Sequence, residues 1–204
     1  MSDMFHREFS DDMIDAGMAV MVRVDRHQYQ ILTKRPERMH QYIRRWLART
    51  GRSEVPAHIW LGVTIESDRY TYRASVLREV PVPIRFISAE PLLTPLPSLD
   101  LTGIAWLIVG GESGPGYRPM DHEWARELLA KARKSGTAYF FKAVRGLTDR
   151  DGHGARRRAH RRVPGGGPEA VAAPVADGDL MAEDLATELE QTIAFGVRLA
   201  KLAL

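Results

Sequence analysis

No cysteine occurs among the 204 residues. That excludes disulfides, thiolate zinc sites, a cysteine nucleophile and cysteine-ligated iron–sulfur clusters built from this chain alone. Long apolar runs are missing as well. The longest, such as Ile104 to Val109, fall far short of the ~20 residues a membrane-spanning helix needs. The opening Met1-Ser2-Asp3-Met4-Phe5-His6 has neither the basic nor the apolar region of a secretory signal, so the expected location is the cytoplasm. Neither G-x-x-x-x-G-K-[ST] nor G-x-G-x-x-G is present, which leaves Walker and Rossmann nucleotide sites without support. The seven histidines show no H-x-x-x-H or H-E-x-x-H spacing, and no metal site is expected.

What is present is a globular composition, 44% hydrophobic and 27% charged, in a length that suits one domain plus a tail. The net charge of +3 divides unevenly. Residues 145–162 carry seven arginines against two aspartates, and residues 163–204 carry seven acids against two bases. These halves of the tail cancel, so the body over residues 1–144 has only a small positive charge and no basic footprint for nucleic acid. The expected organisation is an α/β body over 1–144, an Arg- and Gly/Pro-rich disordered segment over 145–178, and an amphipathic helix over 179–204. In that last stretch Leu180, Leu185, Leu189, Ile193, Val197 and Leu204 lie along one side.

The body alternates helical and strand patterns. Asp11 or Asp12 can cap a first helix with apolar positions Met13, Ile14, Met18, Val20 and Met21. A strand Tyr29 to Leu32 follows. Pro36 then opens a helix with Met39, Tyr42, Ile43, Trp46 and Leu47 on one face, ended near Gly51. Ile59 to Ile65 reads as a strand, residues 67–79 as a helix, and Ile84 to Ser88 as a strand. A Pro-rich loop leads to the strand Trp106 to Val109. Asp121 or Met120 opens a helix stopped by Gly136, and Ala138 to Phe141 forms the last strand. Near-continuous apolar strands separated by amphipathic helices predict a parallel sheet covered by helices, either doubly wound or part of a β/α barrel.

In both architectures ligands meet the carboxyl ends of the strands. Those ends are polar here: Thr33-Lys34-Arg35, Thr64-Ile65-Glu66, Ser88-Ala89-Glu90, Gly110-Gly111-Glu112-Ser113-Gly114, and Lys142. Carboxylates at such a rim accept from hydroxyls and amines, while Lys34, Arg35 and Lys142 can clamp an anion. The candidate binding residues are therefore Lys34, Arg35, Glu66, Glu90, Gly110, Gly111, Glu112, Ser113, Arg118 and Lys142, with no metal ligand among them. The alternative is that these charges mark the exit from buried strands and pair with one another, and that the glycine run is a tight turn.

Six strings occur in a fixed order: Ser2-Asp3-Met4-Phe5-His6, Gln30-Ile31-Leu32-Thr33-Lys34-Arg35-Pro36-Glu37-Arg38, Trp60-Leu61-Gly62-Val63-Thr64-Ile65-Glu66, Arg85-Phe86-Ile87-Ser88-Ala89-Glu90-Pro91-Leu92-Leu93, Ile108-Val109-Gly110-Gly111-Glu112-Ser113-Gly114 and Phe140-Phe141-Lys142. Over about residues 1–142 the chain resembles the phage-associated, radical-SAM-like family of unknown function, whose members often neighbour a three-Cys-motif partner protein. The resemblance implies a partial β/α barrel binding S-adenosylmethionine and a [4Fe–4S] cluster. It also implies that three cysteines precede the S-M-S-D-L-F-H stretch in which this chain begins. The expectation is thus a truncated barrel without its first strands, with an exposed sheet edge that depends on a complementing N-terminal segment or partner.

The resemblance also implies an L-D-G-R-T-x-D-E-[FM]-P tail, where this chain has Arg156 to Arg162 and a Gly/Ala/Pro stretch. Codons CGG-GCT-CAC-CGA-CGA-GTT-CCC would encode Arg158 to Pro164. Read one base later they give Gly-Leu-Thr-Asp-Glu-Phe-Pro, close to that tail. A frameshift after about Lys142 is therefore the hypothesis, and resequencing the locus checks it. The competing reading is a basic linker that contacts nucleic-acid phosphates. For function, two expectations stand: a radical-SAM-like fragment inactive alone for want of cluster ligands, or a cluster-independent α/β protein that binds a ligand or a partner.

Overall fold

The computed structural model describes residues 3–142. The expected disordered segment over 145–178 and the helix over 179–204 lie outside the described residues. The elements are α1 (Asp11–Arg23), β1 (Tyr29–Thr33), α2 (Pro36–Thr50), β2 (Ile59–Thr64), a 3-10 turn (Asp68–Tyr70), α3 (Tyr72–Arg78), β3 (Arg85–Ala89), β4 (Trp106–Val109), α4 (His122–Ser135) and β5 (Ala138–Phe141).

The five strands form one sheet in the order β1-β2-β3-β4-β5, and every neighbouring pair is parallel. Each strand is thus added on the same side as the one before. Because parallel crossovers are right-handed, α2, α3 and α4 fall on one face of the sheet. Ile31, Val63, Ile87, Leu107 and Val109 meet that layer, and with Ile43, Leu77, Leu128 and Ala132 they make up the core. Between β3 and β4 no helix forms. The Pro-rich loop takes its place and buries Leu92, Leu96, Leu99, Leu101 and Ile104.

Local chemistry explains the helix ends. Pro36 opens α2, and Gly51, in the left-handed conformation at φ 65°, closes it. Gly136 does the same for α4 at φ 70°, and Asp121 caps its start by accepting from the Glu123 N–H. Three sequence expectations are corrected. Ser10, not Asp11 or Asp12, caps α1, its hydroxyl accepting from the Met13 N–H; the two aspartates form the first turn, where the helix dipole favours them. Of the apolar positions on α1, Ile14 and Met18 are buried while Met13 and Val20 face outward. The helix over 67–79 is broken at Thr71 into a 3-10 turn and the short α3. Among the described residues no helix is long and apolar enough to cross a membrane.

Candidate functional site

The strand register decides which rim residues meet. Thr64 pairs with Ser88, Ser88 with Ile108, and Ile108 with Phe140. Two residues further along each strand, and on the same face by the two-residue period, stand Glu66, Glu90, Gly110 and Lys142. Backbone bonds carry the ladder past the formal strand ends: the Gly110 N–H donates to the Ala89 carbonyl at 3.2 Å and the Lys142 N–H to the Val109 carbonyl at 2.7 Å. Lys34 follows β1 on the same face, level with Thr64 and one step behind the others since Leu32 pairs with Gly62, and its side chain reaches forward to Glu66. One row of side chains therefore crosses the sheet at its carboxyl end.

The contacts along this row are ionic. The Lys34 ammonium pairs with one oxygen of Glu66. The other oxygen accepts from Arg73 Nη1 at 2.9 Å, and the same nitrogen donates to the Thr64 carbonyl at 2.7 Å. Arg73 is buried and lies over the Tyr70 ring, 4.1 Å from its centroid. Its Nε is buried without an acceptor. Glu90 accepts from the Ser88 hydroxyl at 3.1 Å and sits 3.2 Å from Lys142 Nζ. The row thus reads cation, anion, anion, cation. Its carboxylate side chains are 10% and 22% exposed and its lysines 53% and 65%. The acids are the more buried member of each ion pair and the lysines the more exposed.

Gly110 makes this packing possible. A Cβ there would stand 2.9 Å from Glu90 Oε1 and 3.3 Å from Lys142 Cβ, so any side chain would push the carboxylate from its lysine. Beneath the row, on the same face, Trp106 is central to an aromatic floor. Its ring centroid lies 6.0 Å from both Trp60 and Phe86 and 5.9 Å from Phe140.

Not all predicted rim residues join the row. Arg35 turns to Asp3, with Nη1 2.6 Å from Oδ2. Burial pushes the Asp3 carboxyl up, but donors from Thr33, the Phe5 N–H, Arg35 and the Lys34 N–H outweigh it and hold it below the usual range. Arg38 secures the same N-terminal loop by donating to the carbonyls of Phe5, His6 and Phe9. Gly111 and Ser113 follow Gly110 into an exposed loop, where Glu112 is tied to Arg118. The Arg118 N–H, Nε and Nη2 donate to its carboxylate at 2.8, 2.9 and 2.8 Å. The expectation that Glu112 and Arg118 act with the other rim charges is replaced by this local pair. Asp3, Arg73 and Ser88 are the contributors that sequence reasoning did not select. Arg73 did leave a signal, because it sits at an inward helix position next to Ala74 and one turn before Leu77.

The Arg118 side chain and then its N–H hold the Glu112 carboxyl at about 2. A lowered carboxyl stabilises the loop above the usual 4.5 and loses that contribution as pH falls through about 2. The Glu112 side-chain carbon resonance is expected to titrate near 2 in an NMR acid series; a midpoint near 4.5 would refute the pairing.

A singly wound parallel α/β sheet with a charged row across its strand ends and an aromatic floor beneath defines the class of this protein. A family model described as "Protein of unknown function (DUF5131)" matches residues 1–170, and the chain belongs to that family. No curated protein and no solved structure matches the chain.

Proposed function

We propose that this chain is the later part of a radical-SAM-like β/α barrel, that the row Lys34–Glu66–Glu90–Lys142 is its ligand mouth, and that alone it performs no cluster-dependent chemistry. The observation that carries this reading is the register, which levels Glu66, Glu90 and Lys142 on the face away from the helices and puts Lys34 one step behind them on that face. Sequential strand order is the winding of a barrel, whereas a doubly wound sheet reverses its order. The position of α1 adds support. Asp11 and Asp15 on α1 pair with Arg45 and Arg49 on α2, so the two helices run in the same direction. That is the place of a crossover helix leading from an earlier parallel strand. The phage association rests on the resemblance alone.

The two groups the resemblance implies fare differently against these residues. A chain with no cysteine offers no thiolate to a [4Fe–4S] cluster, so the cluster does not fit this chain. S-adenosylmethionine fits the donor set: Glu66 and Glu90 can receive an ammonium, and Lys34 and Lys142 a carboxylate. When bound beside a cluster it supplies a carbon radical; here these residues would bind and orient it. The partner implied is a complementing N-terminal segment or a three-Cys-motif protein that brings thiolates. Among the described residues β1 pairs only with β2 and β5 only with β4, which leaves both edges open to added strands.

The experiment is calorimetric titration of S-adenosylmethionine into the chain and its Gly110→Ala variant. Saturable binding weakened about tenfold or more by the added methyl is expected, since ~1.4 kcal/mol of displaced contact suffices. Equal affinity in both proteins, or no heat in either, would overturn the assignment of the row. Anaerobic iron–sulfide reconstitution is expected to leave no brown cluster on the chain.

A further inference from the structure

An open cleft of about 560 Å³ lies between α1 and α2, and no residue of the strand-end row lines it. Ala19, Val22 and Trp46 supply its apolar wall, and Arg23, Arg49 and Arg52 line it against a single carboxylate, that of Asp15. The imbalance begins partway along the seam. On α1 the residues Asp11, Asp15, Ala19 and Arg23 recur at a spacing of four and so follow one line of the helix. The first two positions meet cations or donors of α2: Asp11 pairs with Arg45 at 2.7 Å, and Asp15 accepts from Arg49 Nη2 at 2.6 Å and from the Tyr42 hydroxyl at 2.5 Å. At the third the series breaks. Ala19 stands where the next acid would fall, and the fourth position is itself an arginine. Arg23 and Arg52 are exposed, and neither forms an ion pair with a described residue.

The charge missing from the seam is thus a carboxylate, and the wall beside its place is apolar. We propose that this cleft is a docking site for an acidic segment of a partner protein, which sets a Glu or Asp carboxylate against Arg23 and Arg52 and an aliphatic side chain against Ala19, Val22 and Trp46. Guanidinium forks suit phosphates as well as carboxylates. The wall favours a peptide over single-stranded nucleic acid, because Trp46 is 6% exposed and offers no ring face on which a base could stack. The cleft is separate from the strand-end row, and its role stands whether or not that row binds a ligand.

A random peptide library is displayed and selected on the full chain, with the Ala19→Glu protein free in solution to remove binders at other sites. Glu at position 19 stands four residues before Arg23, the favourable orientation for an ion pair on a helix, and fills the place of the missing acid. Its thermal unfolding is expected to be unchanged or shifted upward. Enriched peptides are expected to carry acids next to an aliphatic residue. A synthetic copy should bind about tenfold or more weaker to Ala19→Glu, and likewise to Arg23→Glu with Arg52→Glu, the scale of a lost charge-assisted contact. Replacing the acids of that peptide by lysine should restore binding to the double variant and abolish it on the unaltered chain. Enrichment of no common pattern or of one without acids, affinity unmoved by these substitutions, or displacement of the peptide by oligodeoxythymidylate at equal affinity, which would make the occupant a nucleic acid, would overturn the proposal.

Discussion

Arg73→Met is expected to destabilise the domain by about 3 kcal/mol, the lower end of the ~3–5 kcal/mol typical when one partner of a buried ion pair is removed. Arg73 and Glu66 are only 7% and 8% exposed. The substitution leaves the Glu66 carboxylate in a desolvated position with Lys34 as its remaining cation, and the Thr64 carbonyl without its side-chain donor. Lys34 is half exposed, so it compensates only in part. Against a domain stability of ~5–15 kcal/mol the loss is large enough to read in a urea titration. The double variant Arg73→Met with Glu66→Leu should recover much of it, because the uncompensated charge leaves with its carboxylate. A single substitution costing under about 1 kcal/mol would mean that the pair is hydrated and that Glu66 is not fixed from below.

Gly62→Val should produce a loss of similar size by overpacking. A Cβ at Gly62 would stand 2.5–2.6 Å from three atoms of the Phe86 ring, and that ring is 2% exposed and packed against Trp106. Overpacking at so buried a ring is expected to cost about 1–3 kcal/mol. Shortening the neighbour relieves the clash: Gly62→Val with Phe86→Leu is expected to be more stable than the sum of the two single changes by at least about 1 kcal/mol. Thermal or urea unfolding of the four proteins completes the cycle. Strict additivity would place Phe86 away from Gly62 and break the aromatic floor.

These two positions mark the boundary of what the sequence discloses. Strand positions were legible because these parallel strands appear as near-continuous apolar runs, and β4 and β5 fall where the runs of Trp106 and Ala138 put them. The strand ends were legible for the same reason, since polarity resumes where burial stops. Register was not. Whether Glu90 lies beside Lys142 or one row away depends on how β3, β4 and β5 slide against each other, and nothing local to either residue fixes it. The close approach of Phe86 to Gly62 is likewise a consequence of how β2 pairs with β3. Glu112 shows the opposite error. Its type and place after β4 matched the other rim acids, yet Arg118 six residues on was near enough to capture it. Arg73 stayed hidden because a charge in a helix is ordinarily on the solvated side. On α1 the period located the helix, but it did not say which of Met13, Ile14, Met18, Val20 and Met21 face inward; Ile14 and Met18 do.

The row across the strand ends is the claim on which the ligand mouth depends, and Glu90 with Lys142 is its most accessible pair. Zero-length carbodiimide coupling followed by peptide mass spectrometry joins only carboxyl and amine groups in contact. The structure predicts an intramolecular amide between Glu90 and Lys142, 3.2 Å apart. Coupling of Glu90 instead to Lys131 or Lys134, near the far end of α4, would contradict it.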